Sequence, residues 1–229
     1  MNKETRYLEF DIRAEQTEER GSVITGQPIV FNQETDLGVC RETIDAGALD
    51  QTDLRDVRFL VGHDFSMVPL ARSRNNNENS TMQLTVNENG MGIRVNLDTE
   101  NNPRAAELYS AIRRGDISGM SFAFTVDKDS WEELDTDSPL RHIRSINRVF
   151  EVSAVAFPAY EGTSIQAASE GDALESVRAS LESARKQQEE ERAAAAAAEE
   201  ARQAEEAAQE RRRAVLERLE NLKKEVRVK

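Results

Sequence analysis

Residues 115–126, Gly-Asp-Ile-Ser-Gly-Met-Ser-Phe-Ala-Phe-Thr-Val, place a serine where it could act as a nucleophile. If the segment is a strand, its large apolar side chains share one face, and Ser121 shares the other with small side chains. Gly119 lets a second backbone approach that small face. The pattern therefore predicts a serine that a polypeptide can reach, while an ordinary serine on the outer face of a half-buried strand remains the alternative.

A histidine that could serve as the base follows another apolar run. Residues 57–62 are typical of a short strand, and His63 comes where a loop would emerge, a common place for catalytic side chains. A neutral imidazole is the usual base for a serine hydroxyl, because it accepts and returns a proton near neutral pH. We expect His63 to be this base, with a purely structural histidine as the alternative.

A carboxylate lies within a third apolar run. Glu151 is the only charged residue in the otherwise apolar segment 149–158. A buried carboxylate is costly unless it has a hydrogen-bonding partner, and a histidine ring N–H would be one. Such a bond would fix the tautomer that leaves the other ring nitrogen free to take the serine proton. The alternative is an edge strand with Glu151 in water.

Other site chemistries have weaker support. The single Cys40 cannot form an intramolecular disulfide, and as a nucleophile it has neither a helix start nor a nearby histidine in sequence. Two histidines and one cysteine scattered along the chain do not form a zinc pattern, so we expect neither a metal nor a cofactor.

Short strands predominate among the elements that must position these residues. Strands are predicted at 8–12, 23–31, 57–62, 82–86, 92–97, 117–126, 140–146 and 149–157. One helix is predicted from Pro103, which suits a first turn, to Arg114, with Gly115 as its C-terminal cap. The fold class is therefore mainly β with a few α-helices, an α+β domain arranged as a barrel or sandwich.

The composition changes near residue 168, and we place a domain boundary there, with a domain at 1–167 and a helical tail at 168–229. From Asp172 onward the chain is rich in Ala, Glu, Gln, Arg and Lys. Apolar residues recur three and four apart near its two ends, which is the spacing of a helix-pairing seam: Leu174, Val177, Leu181, Ala184 and Val215, Leu219, Leu222, Val226. One interpretation of the tail is an interaction arm whose two ends dock on partners, including a second copy of the chain. The alternative is a solvated single helix or a partly disordered tail.

The charge balance limits the classes of partner. With 30 Lys and Arg against 43 Asp and Glu, the formal net charge is −13, which disfavours nucleic acid and anionic membranes. No apolar run approaches the ~20 residues of a membrane span, and the charged N-terminus lacks a signal-peptide core. We expect a soluble, cytosolic protein whose partner, if it has one, is another protein.

Five motifs together resemble the prohead maturation proteases of tailed phages, distant relatives of the herpesvirus assemblins. They are GQPIVF at 26–31, ETIDAGAL at 42–49, VGHD at 61–64, GMSFAF at 119–124 and EVSAVAFPA at 151–159. Each motif is weak alone, but their order and gaps match the family. Ala123 replaces the glycine of many members, which keeps the small face small.

The resemblance implies an assemblin-like β-barrel with Ser121 as nucleophile and His63 as base. The third member is Glu151 by the family pattern, whereas the assemblins use a second histidine, for which His142 is the only candidate. The implied function is a serine endopeptidase in the assembling procapsid, in the host cytoplasm, that cleaves scaffold or scaffolding segments of the capsid protein and finally itself. The alternative is a catalytically silent assembly protein with a protease-like domain.

Overall fold

The computed structural model of the chain describes residues 3–8, 12–17, 21–156 and 170–227. The elements in these ranges are β1 (Lys3–Leu8), β2 (Ile12–Thr17), β3 (Gly21–Val30), β4 (Thr35–Asp36), β5 (Arg41–Ile44), β6 (Arg58–Val61), β7 (Ala71–Arg72), β8 (Met82–Asn87), β9 (Gly90–Leu97), α1 (Pro103–Arg114), β10 (Gly119–Glu132), β11 (Leu140–Val155) and α2 (Glu170–Arg227). The expected class, mainly β with a few helices, is confirmed.

The larger sheet is built around β11. On one side β11 pairs antiparallel with β10, and β1 pairs antiparallel with the outer edge of β10. On the other side β11 pairs in parallel with β5 through residues 140–143 and with β6 through residues 151–154. β4 continues the sheet beyond β5, and β7 continues it beyond β6. The second half of β11 therefore lies between β10 and β6, so the ends of three strands meet there.

The smaller sheet has the strand order β2-β3-β9-β8, with antiparallel pairing throughout. Its buried side chains, such as Ile24 and Val95, share one core with Phe122 of the larger sheet and Leu108 of α1. Each such side chain stabilises the fold by about 1.5–3 kcal/mol. Neither sheet closes on itself, so the expected barrel is wrong: within the described residues, β1 and β4 are separate edges of the larger sheet.

Most predicted elements are confirmed. The helix is present as α1, where the Asn102 side chain accepts a hydrogen bond from the Arg104 amide at 3.1 Å and Gly115 ends the helix at φ +80°. The strand predicted at 8–12 is wrong, because Leu8 ends β1 and Ile12 begins β2 in the other sheet, while 9–11 lie outside the described residues. The strands predicted at 140–146 and 149–157 form the single strand β11, and Phe157 lies outside the described residues.

The long C-terminal helix is confirmed as α2. The chain divides into two compact units, Met1–Leu181 and Glu182–Lys229. Within the first unit, Val177 of α2 is fully buried against Leu37 and Cys40, and the Trp131 indole donates to Ser180 Oγ at 3.0 Å. The second unit is the rest of α2, whose described side chains are mostly exposed. Neither helix, over its described length, is both long and apolar enough to cross a membrane.

Candidate active site

Ser121 lies on the face of the larger sheet that points away from the core, here called the site face. In the pairing of β10 with β11, Ser121 is opposite Ser153 and Ala123 is opposite Glu151, and opposite residues of a pair share a face. Phe122 belongs to the apolar core on the other face. The predicted division of this strand into a bulky core face and a small outer face is therefore confirmed.

Glu151 reaches the site face because of a β-bulge. Phe124 pairs with Val149 and Ala123 pairs with Glu151, so Phe150 is an extra residue in β11. In a regular strand, Val149 and Glu151 would share one face, because they are two residues apart and side chains alternate. Val149 instead lies in the core, and the bulge turns Glu151 to the opposite face.

His63 is aimed at the site face by a turn at the end of β6. Gly62 and His63 both adopt left-handed backbone conformations, with φ of +60° and +59°. Glycine adopts this conformation freely, and a histidine can also be held there. The Gly62 amide donates to the Ala154 carbonyl at 3.0 Å, which fixes the turn to β11 beside Glu151.

The side chains of Ser121, His63 and Glu151 form one hydrogen-bonded chain. His63 Nε2 lies 2.6 Å from Ser121 Oγ, and His63 Nδ1 lies 2.6 Å from Glu151 Oε1. Ser121 and Glu151 are fully buried, and the His63 side chain is 10% exposed. A buried carboxylate on Nδ1 favours the tautomer with the proton on Nδ1, which leaves Nε2 free to accept the serine proton.

Ser153 completes the surroundings of the carboxylate and was missed by the sequence reasoning. Its hydroxyl donates to Glu151 Oε2 at 2.5 Å and accepts from the His63 amide at 3.1 Å. Ser153 thus fixes Glu151 and the His63 backbone together. The signal was its place two residues after Glu151, which puts both side chains on one face of a strand.

The N-terminal strand also reaches the serine. Ser121 Oγ donates to the Arg6 carbonyl of β1 at 2.5 Å. Lys3 of the same strand has its ammonium group 3.5 Å from the centre of the Phe65 ring, two residues beyond His63. β1 therefore lies directly beside the three side chains and covers Ser121.

A pocket of about 350 Å³ adjoins the Gly62–His63 turn. Its lining combines apolar residues with charged ones: Val61, Met67, Leu70, Leu108, Ala111 and Ile117 are apolar, and Asp64, Arg104 and Glu107 are charged. The pocket is large enough for one or two side chains of a bound peptide.

The other candidates lie elsewhere. His142 is at the opposite end of β11 from Glu151, and its Nδ1 is 2.9 Å from Asp45 Oδ1. Cys40 is fully buried, and its burial together with the charge of Glu42 raises the pKa of its thiol to about 12. A thiol with that pKa is almost entirely protonated at neutral pH and therefore a poor nucleophile.

The chain is similar in sequence to known proteins. Residues 8–176 match the model of the caudovirus prohead serine protease family. The prohead protease of Enterobacteria phage HK97 is 33% identical over 95 residues, which cover 42% of this chain. The matched part is 40% of the HK97 protein, so the chain spans about two fifths of that relative's length. No solved structure matches. The family match covers most of the chain, which therefore belongs to the caudovirus prohead serine protease family.

Proposed function

We propose that this protein is a serine endopeptidase of prohead maturation, with Ser121 as nucleophile, His63 as general base and Glu151 as the group that orients His63. The observation that carries the proposal is the continuous chain of hydrogen bonds from Ser121 through His63 to Glu151, with both links at 2.6 Å. The fixed tautomer and short distances are what proton transfer from a serine hydroxyl requires.

The reaction has two steps. Ser121 Oγ attacks the scissile carbonyl carbon while its proton passes to His63 Nε2. The C–N bond then breaks as His63 gives this proton to the departing amine, which leaves an ester on Ser121. A water molecule adds to the ester with its proton going to His63, and the C–O bond to Ser121 breaks to release the acid. His63 returns the proton to Ser121, and Glu151 stays ionised throughout.

The proposed substrates are the scaffold or the scaffolding segment of the capsid protein, and finally the enzyme itself, inside the procapsid in the host cytoplasm. Membership of the prohead protease family supports this setting. The pocket that adjoins the Gly62–His63 turn supports a peptide substrate, because it can accept a side chain near the scissile bond.

The test is to incubate the purified protein and its Ser121→Ala variant with the capsid and scaffold proteins encoded beside it. We expect the variant to keep the fold, because it loses one small hydroxyl, and to lose cleavage by about 10⁶-fold, as in another serine hydrolase. Cleavage by the variant at a rate near that of the unchanged protein would contradict the assignment.

The second candidate is a catalytically silent assembly protein. The complete burial of Ser121 beneath β1 favours it, because a substrate cannot contact the hydroxyl in this arrangement. A fluorophosphonate probe separates the two functions. Its phosphorus forms a bond to Ser121 Oγ, fluoride leaves, and His63 takes the proton, so labelling that requires both Ser121 and His63 indicates an enzyme.

A further inference from the structure

β1 lies along β10 in the position that a peptide substrate would need. β1 is extended and antiparallel to β10, with Lys3 opposite Thr125 and Leu8 opposite Met120. Within this pairing, the Arg6 carbonyl oxygen contacts Ser121 Oγ at 2.5 Å. Adding an extended peptide to an open strand edge is a common way of binding peptides, because it satisfies the backbone donors and acceptors of both chains.

Contact with β1 is incompatible with the reactive state of the serine. The Ser121 hydroxyl has one proton, and two acceptors lie within reach, His63 Nε2 at 2.6 Å and the Arg6 carbonyl at 2.5 Å. A carbonyl oxygen can only accept, so a proton directed at Arg6 is not available to His63. The arrangement with β1 in place is therefore a resting state, and catalysis requires the Arg6 carbonyl to leave.

The side chain of Arg6 shows what the same position would accept from a substrate. Arg6 is buried, its Nη2 donates to Glu42 Oε2 at 2.7 Å, and its Nε donates to Glu42 Oε1. Around this position the rest of the chain contributes two carboxylates, Glu42 and Asp129, and one guanidinium, Arg141. Once β1 has left, these three groups together carry a net charge of −1, which favours a basic side chain at the position of Arg6.

We propose that substrates bind as an extended strand on the edge of β10 in place of β1. The substrate runs along β10 as β1 does, but it turns the carbon of its scissile carbonyl towards Ser121 Oγ, and it places an arginine or lysine side chain against Glu42. Within the described residues, β1 is what pairs with this side of β10, so departure of β1 leaves that edge open. This inference rests on the proposed function, because it takes Ser121 to be the nucleophile.

A reversible lock on β1 tests the exchange in the full-length chain. The Lys3→Cys/Thr125→Cys variant places two cysteines opposite each other, and the Cα separation of ~4.5–5.5 Å in such pairs suits a disulfide. We expect oxidation to slow fluorophosphonate labelling of Ser121 at least ten-fold and reduction to restore it. The matched control is Gln83→Cys/Arg94→Cys, opposite residues of β8 and β9, where oxidation should leave labelling unchanged.

Peptides test what the edge binds. A synthetic peptide of residues 3–8 in excess should slow labelling of the reduced lock variant, because it occupies the edge of β10. Replacing its arginine by norleucine should weaken this inhibition at least ten-fold. Two further versions of the peptide, methylated on alternate sets of backbone amides, should differ in how strongly they inhibit labelling. Only one of them blocks the amide N–H groups that face β10. Equal inhibition by all four peptides would contradict the binding mode.

The labelling results separate this inference from the proposed function. Labelling that is equally fast in the oxidised and reduced lock variants, and absent in Ser121→Ala, leaves the nucleophile in place and overturns strand exchange. Absence of labelling in the unchanged protein and in both forms of the lock variant overturns the nucleophile and the exchange together. Circular dichroism of each variant establishes that it is folded.

Discussion

At the scale of the residue, Glu151 shows how the proposed site depends on a small departure from regular structure. Its carboxylate is fully buried, and it has two short hydrogen-bond partners, His63 at 2.6 Å and Ser153 at 2.5 Å. These bonds offset the cost of burying the charge. They also leave Glu151 no freedom to rotate away from the imidazole, which is what a group that orients a base must provide.

Replacing Glu151 by Gln should lower kcat by about 10⁴-fold, because an amide at this position can donate to Nδ1 and so favours the unreactive tautomer. The matched variant is His142→Ala, which changes a side chain bonded to Asp45 and should leave kcat within about two-fold. Both are measured by steady-state cleavage of a short peptide. A larger loss in His142→Ala than in Glu151→Gln would reverse the assignment of the third member.

The residues of the proposed site were accessible to sequence reasoning, but their contacts were not. Ser121, His63 and Glu151 are each a polar residue within or directly after an apolar run, and the structure brings all three together. The contact between Ser121 and Arg6 depends on the register of two strands 115 residues apart in the chain, which no local pattern encodes.

At the scale of the element, two of the strands that sequence reasoning missed, β1 and β5, have charged inward side chains. Glu4 and Arg6 of β1 and Glu42 of β5 are 2–3% exposed, so these strands bury ions where hydrophobic periodicity requires apolar residues. Arg141 of β11 joins them, with Nη1 at 2.8 Å from Glu4 Oε2 and 3.0 Å from Glu42 Oε2. Burial opposes ionisation of Glu4, but Arg6 and Arg141 outweigh it and lower the pKa of Glu4.

Removing one member of this buried charge cluster should therefore be costly. Arg141→Met leaves the carboxylates of Glu4 and Glu42 with Arg6 as their only cation within the cluster, so we expect the free energy of unfolding to fall by about 3–5 kcal/mol. The control is Arg202→Met, which removes an exposed pair with Glu199 and should cost under about 1 kcal/mol. Urea denaturation measures both, and equal small losses would show that the cluster contributes little to stability.

Regular elements were easier to predict because their signals are local. The helix α1 has a proline in its first turn, a capping asparagine and a left-handed glycine, all within 14 residues. The division of β11 into two predicted strands arose from its bulges, since the extra residues Asn147 and Phe150 interrupt the alternation that defines a strand. The barrel expectation failed because closure depends on which edge strands meet, and this is a property of the whole sheet.

At the scale of the whole molecule, the described apolar side chains of the two seams of α2 differ in their exposure. Val177 is fully buried and Leu181 is 9% exposed within the first compact unit, whereas Val215 is 58% exposed in the second. The side chains of Leu219, Leu222 and Val226 lie outside the described residues. The sequence showed two apolar seams of the same spacing, and nothing in the spacing could reveal that Val177 of the first seam is buried against Leu37 and Cys40.

Two truncations should therefore behave differently. A chain ending at residue 171 loses Val177 and leaves Leu37 and Cys40 without the contact that covers them. We expect its free energy of unfolding to fall by about 2 kcal/mol, the value of one large buried apolar side chain. A chain ending at residue 188 retains Val177 and Leu181 and should unfold at the same urea concentration as the full-length protein. Equal stability of the two truncations would contradict a structural role for the first seam.

The longer truncation then isolates the role of the arm, defined here as residues 189–229. The arm contains none of the proposed catalytic residues, its described side chains are exposed, and its last part is basic from Arg211 onward in a chain of net charge −13. We propose that it recruits the enzyme to an acidic partner or to a second copy of itself, which raises the local substrate concentration without adding catalytic contacts. The chain ending at residue 188 should cleave a short peptide at the full-length rate and be at least ten-fold less abundant in purified procapsids. Normal incorporation of this truncated chain would show that the arm is not the recruiting element.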